Sequence, residues 1–287
     1  MTTFTAHELR RPTPDEIEGY RANGFLIVRG LVPAEILDSA ERGMERFYAQ
    51  DLDHPFPGRT RYDDYDWIPA HGDGLRKNDY TSRMVDDLRR LVEWPGIAAF
   101  AGGLARADGI RLWHDQLLYK PPTPGTQAGN VGWHTDRQYW RSCSSEEMLT
   151  CWVPFQDCDA AMGGVSFIPG SHLASDHVGL DFFDQDLERM EAAMAANAQT
   201  ANKVVPSLSR GDVTFHHCGT VHGSGPNLTD RPRRSMAIHL QPADNAWAEG
   251  TDPGVEPAYH RNDELVRHVE GHPDYTDPRI CPLLWSR

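Results

Sequence analysis

Apolar and polar positions recur along this chain with two different periods, and the change of period divides it. The first hundred residues carry the helical period. Thr13-Pro14-Asp15-Glu16 predicts a helix start: threonine can cap, proline fits the first turn, and acids favour the positive end of the helix dipole. Gly24 ends that helix, and Phe25-Leu26-Ile27-Val28 reads as a short buried strand. Pro33 opens a second helix, in which Ile36, Leu37, Ala40 and Met44 share one face. Residues 51–73 are rich in Asp, Pro, Gly and Tyr and lack a period, which predicts a long irregular loop. Residues 84–104 are helical again, with a break at Pro95.

After Gly109 the pattern changes to strands. They are expected at Ile110–Trp113, Gln116–Tyr119, Leu149–Phe155, Val165–Ile168, Lys203–Pro206, Asp212–His216 and Ser235–Leu240. Turns such as Pro121–Gly125, Gly163-Gly164 and Pro169–His172 separate them. Residues 181–200, with Leu187, Met190, Met194 and Ala195, predict a helical insertion. Many short strands with Gly/Pro turns argue for a sandwich or barrel. The tail from Gln241 is rich in Asp and Pro, and Trp247 or Trp285 can pack it back onto the body. The expected organisation is one domain over residues 1–287: a helical flank to about 108, a barrel core of about 109–241, and a tail over 242–287.

Composition narrows the class. The chain has 287 residues, 39% hydrophobic and 24% charged, enough for a packed core. Its net charge of −14 opposes binding to phosphate backbones, so no nucleic acid partner is expected. No charged-then-apolar leader and no long apolar run occur, so no membrane association and a cytoplasmic location are expected. Cys143, Cys151, Cys158, Cys218 and Cys281 form no Cys-x-x-Cys and are odd in number; they read as reduced, mostly buried thiols. The expected partner is a small-molecule substrate, bound by a monomer or homodimer.

Candidate chemistry centres on Gly132-Trp133-His134-Thr135-Asp136-Arg137-Gln138-Tyr139-Trp140. On a strand, positions i and i+2 share a face, so His134 and Asp136 can reach one metal ion. A neutral imidazole and a carboxylate beside open positions suit non-haem Fe(II). His222, in Thr220–Gly225, is the candidate third ligand, because flanking glycines let the backbone approach a ligand closely. His216 and His217 compete with it, as core or supporting histidines. A second His-x-Asp, His272-Pro273-Asp274, sits in the Pro-rich tail with no histidine after it and reads as a surface turn. Arg231, Arg233 and Arg234 follow His222, and a fixed guanidinium grips a carboxylate bidentately. Two histidines, one aspartate and a downstream arginine are what an Fe(II) enzyme using an α-keto acid needs. Three protein ligands leave two positions for the keto acid and one for dioxygen.

Taken together, these motifs resemble the phytanoyl-CoA dioxygenase family of Fe(II)/2-oxoglutarate oxygenases. Trp133-His134-Thr135-Asp136 with Tyr139-Trp140 matches the family's proximal motif, and Gly211-Asp212-Val213 leading into His222–Asn227 its distal motif. Gly163-Gly164 with Ile168–His172 matches its middle segment, and the resemblance runs from about Asp15 through Leu240. It implies an α+β fold with a mainly β core: a double-stranded β-helix, the jelly-roll or cupin-like barrel, with N-terminal helices packed outside. It implies His134, Asp136 and His222 as iron ligands. Arg233 stands where the family binds the distal carboxylate of 2-oxoglutarate, with Ser224 assisting. Gln116 and Trp152 match positions lining the cosubstrate pocket, and Lys77 a cosubstrate-contacting lysine; Trp152 as a core residue and Gln116 as an ordinary strand residue stay open.

The implied reaction consumes O2 and 2-oxoglutarate, releases succinate and CO2, and hydroxylates an unactivated C–H bond. Halogenating relatives have a small residue at the position of Asp136, so oxygenation is expected and halogenation is not. Desaturation, epoxidation and rearrangement stay open. Tyr62, Tyr65, Trp67, Arg137, Tyr139, Trp140 and Trp247 either bind substrate or pack the loops, and a natural-product intermediate is the expected substrate. The rival readings are a non-redox cupin-like isomerase or lyase, and a catalytically inactive ligand-binding member of the family.

Overall fold

The local signals act as their chemistry dictates. Helix α1 (Pro14–Asn23) opens with a reciprocal cap: Glu16 N donates to Thr13 Oγ1 at 3.2 Å, and Thr13 N donates to Glu16 Oε2 at 2.9 Å. Gly24 closes it at φ +78°, where a side chain would run into His172. Strand β1 (Phe25–Val28) follows, then α2 (Ala34–Tyr48), which buries Ile36, Leu37, Ala40 and Met44. After β2 (Arg76–Asp79) the helical stretch divides into α3 (Asp86–Val92) and α4 (Pro95–Leu104), with Pro95 at the first turn of α4. The structure is a computed structural model describing residues 9–58, 60–61, 66–72, 74–123, 129–174, 179–196, 202–248 and 260–287.

Two antiparallel sheets follow from the remaining strands: β3 (Gly109–Lys120), β4 (Val131–His134), β5 (Leu149–Pro154), β6 (Val165–Phe167), β7 (Val213–His217), β8 (His222–Ser224) and β9 (Arg233–Pro242). Helix α5 (Leu187–Ala196) lies between β6 and β7, and α6 (Arg261–Leu265), β10 (His268–Val269), β11 (His272–Pro273) and β12 (Leu283–Ser286) complete the chain. The major sheet runs β1-β7-β5-β9-β3-β12, with β2 also on β3; the minor sheet runs β4-β8-β6. This is the double-stranded β-helix. Strands β1, β2 and β12 come from outside residues 109–241, so flank and tail both help build the sheet.

Several elements differ from expectation. Residues 109–120 form one strand, with a register irregularity between Leu112 and His114, where two strands were expected. The expected strand at Lys203–Pro206 reduces to a bridge between Val204 and Phe167. The insertion is helical over Leu187–Ala196; within residues 181–186 only 182 and 183 form a turn, and 197–200 lie outside the described residues. His272 belongs to a two-residue hairpin strand with an exposed side chain. In the tail, Trp247 stacks on His272 at 4.4 Å and Trp285 enters the main core.

Strand alternation gives the major sheet two unlike faces. Cys151 and Val153, Val213 and Phe215, and Met236, Ile238 and Leu240 pack with Leu37, Leu88 and Phe100 of the helices in the main core. The intervening positions face the minor sheet, where Leu118, Trp152 and Ala237 pack with Val165 and Phe167. All five cysteines are free and buried. No helix among the described residues is long and apolar enough to cross a membrane.

Candidate active site

His134 ends β4 and His222 begins β8, and the two are register partners in the minor sheet. Asp136 lies just beyond β4, at the start of a 3-10 turn and not on the strand itself. Thr135 keeps an extended backbone, so Asp136 still shares the side of His134. The ligand atoms of His134, Asp136 and His222 all lie within 4.8 Å of one another, a grouping able to hold a metal ion. The Nε2 atoms of His134 and His222 stand 3.9 and 3.8 Å from Asp136 Oδ1.

Backbone carbonyls orient both imidazoles. His134 Nδ1 lies 2.8 Å from Gly132 O, and His222 Nδ1 lies 2.9 Å from Thr220 O. A carbonyl only accepts, so each Nδ1 carries the proton and each Nε2 is free to ligate. Burial pushes the titration of both histidines down, His222 strongly, which keeps them neutral. Burial alone would raise Asp136; His222, His216 and His239 outweigh it and hold the carboxyl well below its usual range. Thr150 Oγ1 donates to Asp136 Oδ2 at 2.6 Å. His216 Nε2 lies 3.3 Å from the same oxygen without hydrogen-bond geometry.

Two chambers meet at the triad. The inner one lies between the sheets and is lined by Gln116, Trp152, Ser224 and Arg233 beside the triad. Arg233 is 1% exposed, donates to Gly163 O, and sits 5.5 Å from the Trp152 ring. Gly163, at φ +71°, packs so tightly on the backbone of Gly225 and Pro226 that no side chain fits. Burial lowers Arg233 to about 10, and its Nε has no partner among the described residues. Lys120 is fully buried at the end of β3 and donates to Ser224 Oγ at 2.7 Å and to Gly225 O at 2.6 Å. No carboxylate among the described residues pairs with either cation. Burial, with Arg233 adding to it, pushes the Lys120 ammonium well below its usual range, so Arg233 is the fixed charge here. A buried guanidinium without an anion beside three convergent ligand atoms fits a metal chelated by a dicarboxylic keto acid.

The outer chamber is a cavity of about 230 Å³ lined by His114, Tyr139, Trp140, Phe182, His239 and His260, among others. Phe182 reaches it because Gly132 lets a second backbone cross β4: Gly132 N donates to Phe182 O at 3.0 Å, which puts the Phe182 ring 4.9 Å from His134. Lys77 lies here and not in the inner chamber, paired with Asp79 at 2.9 Å. Of the residues expected to bind substrate or pack loops, Tyr139 and Trp140 line this chamber. Trp67 stacks under Arg76 at 4.4 Å, Arg137 donates to the carbonyls of Cys143 and Ser145, and Trp247 is stacked in the tail. Tyr62 and Tyr65 lie outside the described residues.

Sequence reasoning missed Lys120, His114, His239, His260 and Arg261. The first three were within reach, because counting by twos from Gln116 along β3 gives His114 and Lys120, and from Arg233 along β9 gives His239. His260 and Arg261 sit in the tail, and nothing local announces that they return to the barrel.

A sequence model of the family described as phytanoyl-CoA dioxygenase matches residues 20–235. The chain is 24% identical over 247 residues to the peroxisomal phytanoyl-CoA dioxygenase of Mus musculus, covering 81% of this chain and 69% of that protein. Among solved structures, the epimerase SnoN in complex with Fe3+, alpha ketoglutarate and nogalamycin RO superposes with a TM-score of 0.66 at 25% identity, covering 94% of this chain and 98% of that one. The alpha ketoglutarate dependent carbocyclase SnoK from nogalamycin biosynthesis superposes with a TM-score of 0.64 at 23% identity, covering 89% and 94%.

Proposed function

The chain belongs to the phytanoyl-CoA dioxygenase family of Fe(II)/2-oxoglutarate oxygenases, and on that premise we propose that it hydroxylates an unactivated C–H bond of a small natural-product intermediate. The observation that carries this reading is the convergence of His134, Asp136 and His222 beside a buried Arg233 that lacks a carboxylate. His134, Asp136 and His222 hold Fe(II), which with 2-oxoglutarate and O2 supplies the oxidising chemistry when bound.

The protein's own residues do the rest. Arg233 and the Ser224 hydroxyl grip the distal carboxylate of the cosubstrate. Lys120 donates to Ser224 Oγ, so the Ser224 proton is left to point at the ligand. Trp152 and Gln116 wall the inner chamber, and the aromatic rings of Tyr139, Trp140 and Phe182 exclude water from the meeting point of the chambers. Asp136 fills the third protein position with a carboxylate, which leaves no place there for a halide. A non-redox metal enzyme has no use for a buried arginine beyond the distal histidine, so that reading ranks second.

The first test is an anaerobic titration of the metal-free protein with Fe(II) and then 2-oxoglutarate, watching for the weak visible charge-transfer band of the chelate. The band is expected in the unsubstituted protein and absent in His134→Ala, and Arg233→Ala should need more 2-oxoglutarate. Fe(II) binding without a band would move the non-redox reading to first place. The mass of a substrate's product then separates the outcomes: hydroxylation adds one oxygen, epimerisation changes nothing, and ring closure removes two hydrogens.

A further inference from the structure

The two chambers differ in charge, and the difference speaks to the substrate. In the outer chamber every described cation has an acid: Lys77 is 2.9 Å from Asp79, and Arg261 is 2.8 Å from Asp66 and 3.5 Å from Asp79. The inner chamber instead is lined by Arg233, with which no described carboxylate pairs, and its lining acid, Asp136, belongs to the metal-ligand set. An anion therefore gains in the inner chamber and finds no free counter-charge in the outer one.

Hydrogen-bond chains fix what the outer chamber offers. The Asp136 carboxylate accepts the Thr150 hydroxyl proton at 2.6 Å, so the Thr150 oxygen must accept from His239 Nδ1 at 2.7 Å. That tautomer leaves His239 Nε2 as a bare acceptor, buried and without a partner among the described residues. His260 Nδ1 accepts from Asn262 N at 3.1 Å, so its Nε2 carries the ring proton and is a donor. His239 thus supplies an acceptor and His260 a donor to a lining that also holds His114, Gln116 and the rings of Tyr139, Trp140 and Phe182.

We propose that the outer chamber takes an uncharged ring molecule bearing a hydroxyl group. The hydroxyl donates to His239 Nε2, an oxygen of the molecule accepts from His260 Nε2, and the aromatic walls cover its faces. This assignment deepens the oxygenase reading above and rests on it. His239 and His260 are then specificity-determining residues.

The test uses the protein loaded with Fe(II) and 2-oxoglutarate without oxygen, titrated calorimetrically with 1-naphthol, 1-methoxynaphthalene and 1-naphthoate. The naphthol should bind about tenfold tighter than its ether, because the ether cannot satisfy His239, and the naphthoate should bind weakest. In His239→Phe the naphthol-to-ether ratio should fall to about one while the charge-transfer band is retained. In His260→Phe both neutral probes should weaken together. Naphthoate binding as tightly as naphthol, a ratio unchanged in His239→Phe, or failure of all three probes to bind would overturn the proposal. A missing charge-transfer band in the unsubstituted protein would instead sink the oxygenase reading, whatever the order of the probes.

Discussion

Along β5, β7 and β9, neighbouring residues live in opposite surroundings. Cys151, Val153, Phe215, Met236 and Ile238 face helices α2, α3 and α4, and Phe215 stacks on Phe100 at 5.3 Å. One position away, Thr150, Trp152, Thr214, His216, Arg233, Ser235 and His239 face the minor sheet. The helix-facing side is closed by packing, and its area removed from water is what stabilises the barrel. The inner side leaves Thr214 Oγ1, Ser235 Oγ, Arg233 Nε, Trp152 Nε1 and both nitrogens of His216 buried without partners among the described residues. Each such atom costs about 1–3 kcal/mol unless a ligand or water meets it. One face therefore stabilises the sheet that the other face loads with unmet polar groups.

The comparison breaks most sharply at the metal ligands. His222→Ala should lower succinate release by on the order of a thousandfold or more while the urea midpoint hardly moves, because only the ligand set is removed. A large loss of stability instead would mean that the inner side also holds the fold together. The mirror experiment is Phe215→Ala on the other face. It should cost about 3–5 kcal/mol in denaturant unfolding and leave the 2-oxoglutarate affinity of the folded fraction unchanged. A weaker contrast separates Lys120 from Arg233. Lys120→Met should raise the 2-oxoglutarate needed for half-maximal charge-transfer absorbance about 10- to 100-fold, with little change for 2-oxobutyrate, which lacks the distal carboxylate. Equal weakening of both acids would make Lys120 a packing residue only.

The smallest effect is that of acid. Burial, ahead of the neighbouring His172, lowers His217 to about 4, and burial likewise lowers His260 to about 3. Both lie below the unfolded value of about 6.5, so the unfolded chain takes up protons first on acidification. The stability tied to these neutral imidazoles is therefore complete above about pH 6.5 and is lost as pH falls toward 4. The urea midpoint should drop over that range, and His217→Gln should flatten the drop. A midpoint constant from pH 7 to 4.5 would contradict this.

What the sequence made legible was what it encodes locally. The Thr13/Glu16 cap, Pro33, Pro95, the apolar stripe of α2 and the His134-x-Asp136 pair each act over a few residues, and each stands where its chemistry puts it. His222 was legible through its glycines, and the structure brings it to the other two. Less local features were opaque. The fusion of two expected strands into β3 depends on β2 and β12 pairing with its two halves. Lys77 lies across β2 from Leu118 and turns to Asp79, a placement set by sheet register and not by its own neighbours. His260 and Arg261 reach the outer chamber only because the tail folds back, and no periodicity in the tail reports that.

The pairing of β3 also sets how fast this molecule can assemble. Leu112 lies against Leu240, and Ile110 against both Pro242 and Trp285. Each pairing closes a loop of well over a hundred residues, and closure entropy opposes it until the contacts form. A chain emerging from the ribosome at about 5–20 residues per second therefore carries β3 with its β9 edge bare for several seconds. His134 and His222 both precede β9 in the chain, so the two histidines are available to each other while that edge is still bare.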